Sequence, residues 1–287
     1  AAESGDTAAM CNLGVLLSDP EWFSRASDLG SIRGTKNLAA AYAMGSGVGM
    51  DKVRAAQLYQ RAADMGDVDS MCVLASMLRN GDGIPVDKMG AAGYYRKAAD
   101  MGDRDAQYDL AFMLDSGEGI PQDRMEAERL FRLSAEQGDT DACLCLGGIL
   151  YERGEYREAE RWFLEAALKG DVKASYNLGL MYADGSLGEP DHIKATEWFE
   201  SAASEGFVYA QTMMGTLSLD SGDNERAEVW FRKAAAQGEP TAMYNLGALG
   251  ISGQIAMGDR EAMDWLVRAA TAGMPQAAEL ISRLTSG

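Results

Sequence analysis

His192 is the only histidine among 287 residues that include 44 carboxylates and four cysteines. A single imidazole rules out a multi-histidine metal site and a histidine acid–base pair, and beside Asp191 it reads as a solvated loop residue. With so many carboxylates, some pair always falls at a glycosidase-like distance, so such a pair carries no weight. Cys11, Cys72, Cys143 and Cys145 show no pairing pattern. Two residues apart on a helix, Cys143 and Cys145 point away from each other. The expectation is reduced, buried thiols, no zinc and a reducing, cytoplasmic setting. Glycine-rich stretches at Gly45-Ser-Gly-Val48, Gly81-Asp-Gly-Ile84 and Gly117-Glu-Gly-Ile120 could offer amides to a phosphate. None has the lysine-terminated or strand-linked context of a nucleotide loop. No catalytic residue, metal or cofactor is predicted.

The elements that carry these residues recur. Gly30, Gly66, Gly102 and Gly138 are 36 apart, Gly170 and Gly238 close intervals of 32, Gly206 one of 36 and Gly273 one of 35. Each glycine follows an alanine-rich helical pattern and can end that helix in the left-handed conformation. Within a repeat, Ala174, Leu178, Gly179 and Tyr182 mark a first amphipathic helix, and Ala195, Trp198, Phe199, Ala202 and Ala203 a second. Trp198 and Phe199 are expected to fill the space between successive repeats, with Met65, Met101, Met213 and Met214 as core fillers. Asp51, Asp87, Asp123 and Asp191, each 21 residues after a closing glycine, are expected to cap the second helices, and Asp123 with Glu126 has capping-box spacing. The 32-residue repeats shorten the inter-helix loop, as at Glu152-Arg-Gly-Glu155 and Asp220-Ser-Gly-Asp223.

This pattern predicts one domain over 1–287, with repeats at 6–30, 31–66, 67–102, 103–138, 139–170, 171–206, 207–238 and 239–273. A lone helix in 274–287 is expected to cap the last repeat. AAESGD at the start matches AADMGD at 62–67, so the chain reads as beginning inside a repeat of a longer protein. A hydrophobic fraction of 47% supports a folded core, and no run reaches the roughly 18 apolar residues of a membrane helix. The net charge of −18 argues against a nucleic-acid ligand and suits a basic partner.

Motifs such as Ala174-Ser-Tyr-Asn-Leu-Gly179, Ala242-Met-Tyr-Asn-Leu-Gly247 and Ala195-Thr-Glu-Trp-Phe199 resemble the Sel1-like repeat, a relative of the tetratricopeptide repeat with a longer inter-helix loop. The resemblance implies an all-α, right-handed α-solenoid of helix-turn-helix repeats and a non-catalytic scaffold or adaptor. By analogy with tetratricopeptide stacks, a protein or peptide would lie on the concave face lined by first helices. That face is expected to gather Lys36, Asn37, Tyr108, Asp109, Phe112, Tyr176, Asn177, Leu180, Tyr244 and Asn245. Asparagines there can bond a peptide backbone through one donor and one acceptor, and tyrosines add rigid contact area. Tyr108, Asp109, Phe112 and Asp115 share a helical face that mixes aromatic and acidic groups. Arg33, Lys36 and Asn37 resemble a carboxylate clamp, but the next repeat offers Asp69 and Cys72 where basic residues would be needed. The alternative is a structural spacer whose neighbouring domains carry the function, and an enzyme ranks last.

Overall fold

The computed structural model describes residues 2–286. The fold is an all-α solenoid of helix-turn-helix repeats, three-quarters helical and without strands among the described residues. The chain forms two compact units, Ala1–Ala142 and Cys143–Gly287. The first holds a short 3-10 helix (Ala2–Ser4), then α1 (Thr7–Leu17), α2 (Pro20–Asp28), α3 (Ile32–Met44), α4 (Lys52–Asp64), α5 (Val68–Asn80), α6 (Lys88–Asp100), α7 (Arg104–Ser116), α8 (Arg124–Glu136) and the start of α9 (Thr140–Glu152). The second continues with the rest of α9, then α10 (Tyr156–Leu168), α11 (Val172–Ala183), α12 (His192–Ser204), α13 (Val208–Asp220), α14 (Asn224–Ala236), α15 (Pro240–Ile251), α16 (Asp259–Thr271) and α17 (Pro275–Thr285). Odd-numbered helices begin the repeats and even-numbered helices end them. The terminal α17 packs on α16 and buries Ala277.

Every closing glycine from Gly30 to Gly273 has φ between 81° and 93°. The chain leaves each helix through the left-handed region, where Cβ would be strained. The residue after the glycine then caps the next first helix. Ser31, Asp67, Asp103, Asp139, Asp171 and Glu239 each accept a hydrogen bond from the amide three residues on. Phe207 before α13 and Met274 before α17 take this place and cap nothing with their side chains.

Inside a repeat, the second ring of each aromatic pair is buried in the core, joined in two pairs by the first ring, Trp162 and Trp230. Phe199 is fully buried, and a Cβ at Gly179 would lie 2.6 Å from its ring. Gly14 with Phe23, Gly147 with Phe163 and Gly215 with Phe231 repeat this approach. A glycine on the first helix thus lets the ring of the second helix sit against backbone. Trp198 is only half-buried, a correction to its expected place as an equal wedge with Phe199. Several of the outer rings are covered by a cation of their own helix: Arg25 on Trp22, Lys97 on Tyr94, Lys233 on Trp230 and Arg268 on Trp265, at 4.0–5.1 Å from the ring centre. Among the methionines, Met214 is buried and Met213 half-buried, whereas Met65 and Met101 at helix C-termini are exposed and fill no core.

The long loops are fastened twice. Asp51, Asp87, Asp123 and Asp191 cap α4, α6, α8 and α12 as expected. Their own amides donate back to the first helix, to the carbonyls of Tyr42, Leu78, Leu114 and Tyr182, at 2.8–3.0 Å. Because the Asp123 amide is engaged in this way, Glu126 does not close a reciprocal capping box and instead binds Arg129. The second glycine of each Gly-x-Gly lies against the preceding repeat: a Cβ at Gly83 would collide with Lys52, and one at Gly119 with Lys88. The residue between the glycines completes the contact, Asp82 pairing with Lys52 and Glu118 with Lys88. These loops are inter-repeat joints. His192 is the exposed first residue of α12 and lies outside the loop expected for it.

Candidate functional site

In four repeats the sixth residue after a closing glycine reaches the residue that follows the next closing glycine. Lys36 binds Asp67 at 3.2 Å and Asp69 at 2.6 Å. Cys72 donates to Asp103 at 3.5 Å, the Tyr176 ring meets Phe207 edge-on at 5.2 Å, and Thr212 bonds Glu239 at 3.3 Å. Lys36 and Tyr176 therefore join one repeat to the next. Burial opposes the charge on Lys36, but the bonds to Asp69 and Asp67 outweigh it and raise its pKa. No carboxylate clamp is left open there. Burial, with Asp103 beside it, pushes the Cys72 thiol up to about 12, so it stays a neutral donor with no nucleophilic character at ordinary pH.

The next residue along faces outward. Asn37, Asn177 and Asn245 are half-buried, and among the described residues no protein group hydrogen-bonds to their side-chain amides. Each leaves a donor and an acceptor available side by side. Asn37 also lines a cleft of about 250 Å³ with Gly14, Val15, Phe23 and Met44. Tyr244, beside Asn245, is half-buried.

Asp109 occupies this position on α7 and behaves differently. It takes a hydrogen bond from the Tyr95 hydroxyl and lies 3.5 Å from Arg79. Burial raises its pKa despite both partners. Arg79 also holds Glu118 at 2.6 Å and stacks over the Phe112 ring at 5.2 Å. The Tyr108 ring is half-buried against Phe131, centroids 5.8 Å apart. Of the aromatic–acidic group read on α7, Phe112 is thus the exposed member, while Asp109 braces neighbouring repeats.

Two features escape a reading of single repeats. Gln137 donates to the Gly102 carbonyl and to Gln107, whose own amide donates to Ala99, and Gln237, Gln211, Gly206 and Ala203 repeat the relay. The second is an aromatic group on α11 and α13. Tyr176, Phe207 and Tyr209 lie within 6.4 Å of one another, and Tyr209 is 56% exposed. Its signal is visible once the repeats are aligned, because Phe207 replaces a capping residue and Tyr209 stands where Arg33, Asp69, Asp105, Asp141, Lys173 and Thr241 stand elsewhere.

No cluster of three or more potential metal ligands occurs among the described residues, and no helix there is long and apolar enough to cross a membrane. The Sel1 repeat profile matches residues 21–31, 35–67, 68–103, 104–139, 141–171, 172–207, 208–239 and 240–274. The chain belongs to the Sel1 repeat family. Its structure is similar to that of c5321, a protective antigen of uropathogenic Escherichia coli with this fold, at 32% identity and TM-score 0.88. That match covers 96% of this chain and 64% of the antigen, so the chain spans less than two thirds of that relative's length. A Sel1 repeat protein from Oxalobacter formigenes is similar at 28% identity and TM-score 0.82, covering 99% of this chain and 88% of the other. No match was found among curated proteins. Sel1 repeat proteins are generally protein-interaction scaffolds, and their solenoid is typically non-catalytic.

Proposed function

We propose that this chain is a non-catalytic adaptor that holds an extended protein or peptide segment against its first helices. The observation that carries this reading is the set of open amides at Asn37, Asn177 and Asn245. An amide side chain can bond both the N–H and the C=O of one residue in an extended strand, which recognises backbone and not sequence. Repetition of that group at the same place in different repeats suits a ligand without fixed secondary structure. Phe112 on α7 and Tyr244 on α15 add aromatic contact on the first helices of their own units, and the net charge of −18 favours a basic partner. Lys36 and Asp109 act in this reading mainly by setting the spacing between repeats.

The test is a pull-down from lysate with wild type and an Asn37→Ala, Asn177→Ala, Asn245→Ala triple variant whose circular dichroism and melting curve match wild type. Each amide contributes about 0.5–1.5 kcal/mol, so the triple variant should lose a partner that wild type retains. Equal retention by both proteins removes the first-helix amides from the binding surface.

A further inference from the structure

Helix α13 departs from the other helices that begin a repeat at two places, Phe207 and Tyr209, and with Met213 it presents an apolar, aromatic-rich outer face. Phe207 stands where other repeats place a hydroxyl or carboxylate that caps the helix. Tyr209 stands where Arg33, Asp69, Asp105, Asp141, Lys173 and Thr241 stand, and only α1 has an apolar residue there, the small Ala8. Met213 lies at a place that is polar at Asn37, Asp109, Asn177 and Asn245 and apolar at Val73 and Cys145. Replacing a capping residue removes a bond from the helix start. Phe207 meets Tyr176 of the preceding repeat and Tyr209 of its own, both edge-on. Tyr209 remains 56% exposed beyond them. Elsewhere the chain sets its own Arg or Lys over eight aromatic rings, including Tyr42, Tyr94 and Tyr182. Among the described residues none is set over Tyr176, Phe207 or Tyr209. These are aromatic faces without a cation, on a chain with a large excess of negative charge.

We propose that Tyr176, Phe207, Tyr209 and Met213 form a docking surface for an arginine- or lysine-bearing polypeptide segment, whose cation lies over the Tyr209 ring while its backbone is held by Asn177. The chemistry is the cation–π contact that the rest of the chain makes internally. The long-range negative field favours the same ligand. This rests on the adaptor reading and names the partner chemistry at one part of that surface.

The probe is a synthetic extended peptide that alternates arginine with leucine, compared with copies carrying glutamine or glutamate in place of arginine. Binding is followed by tyrosine and phenylalanine ring signals in NMR and by titration calorimetry. The arginine peptide is expected to bind more tightly than the glutamine peptide by about 2- to 30-fold per engaged cation, and to shift the Tyr209 and Phe207 signals. Tyr209→Asp installs the residue type of Asp69 and Asp105, so its melting temperature should match wild type. It should nevertheless weaken the arginine peptide about tenfold or more, although it adds a negative charge that Coulomb attraction alone would turn into tighter binding. Phe207→Asp restores the helix cap and should also lose the peptide.

Unchanged or tighter binding by Tyr209→Asp overturns the inference. So does equal binding of the glutamine peptide, but if Asn177→Ala weakens that binding the adaptor reading stands without the cation. Self-association of wild type that disappears in Tyr209→Asp would make this a contact between copies and overturn it. No binding of the arginine peptide at about millimolar concentration, a free energy near −4 kcal/mol, also overturns it, while the adaptor reading keeps its own test in the asparagine pull-down.

Discussion

Phe199 and Trp198 are adjacent in sequence and about 100° apart around α12, so only one of them can face the glycine of α11. Phe199 does, and Phe199→Ala should cost about 3–5 kcal/mol in urea unfolding, the usual price of deleting a fully buried aromatic ring. Trp198→Ala should cost clearly less, and equal losses would contradict the assignment of Phe199 as the core ring. Asp109 makes a second prediction. Burial raises its folded pKa above 3.8, so the native state favours the protonated carboxyl more than the unfolded chain does. Its contribution to stability therefore improves as pH falls through that window and is unfavourable above it. Asp109→Asn keeps an acceptor for Tyr95 and should melt higher than wild type at pH 7, with the difference shrinking as pH drops below about 4. Glu118 has the opposite sign. Its bond to Arg79 lowers its pKa, so the stability it adds is present above 4.5 and is lost as pH falls through the lowered value.

Helices and loops divide the glycines into two kinds. Gly83 has φ 76° and faces Lys52 of the preceding repeat, so Gly83→Ala should destabilise by about 1–2 kcal/mol from backbone strain alone. Gly93 lies inside α6 with open space where a Cβ would project, and Gly93→Ala should stabilise by about 0.5–1 kcal/mol. Chemical denaturation of the two variants should therefore move in opposite directions. The loop motif and its capping aspartates were readable from spacing because caps and left-handed turns depend on nearby residues. The failed reciprocal box at Asp123 and Glu126 was not, since the Asp123 amide is taken by Leu114 on the preceding helix of the same repeat.

Across the molecule, contacts between neighbouring repeats keep a common separation near 30 residues, seen at Lys52 with Asp82, Arg79 with Asp109, Gln107 with Gln137 and Arg157 with Leu187. Most ion pairs on the surface are exposed and each adds little. The net charge of −18 acts on the whole chain and repels itself in the compact state. Raising NaCl from about 10 to 300 mM shortens the Debye length from about 30 Å to under 8 Å and should raise the melting temperature measured by calorimetry. A fall would mean that the ion-pair network outweighs self-repulsion.

The repeat period, the two helices per repeat, the closing glycines and the capping aspartates are all properties of the sequence, because each depends on residues close along the chain. Position in a repeat also made the first-helix residues candidates for a partner. Tertiary structure decided which of them remain available. Lys36, Tyr176 and Asp109 meet Asp67, Phe207 and Arg79, residues 30 or more positions away, whereas Asn37, Asn177 and Asn245 keep their amides open. Helical periodicity says which direction a side chain leaves its own helix. What it meets depends on the neighbouring repeat, and that contact exists only after the repeats have stacked.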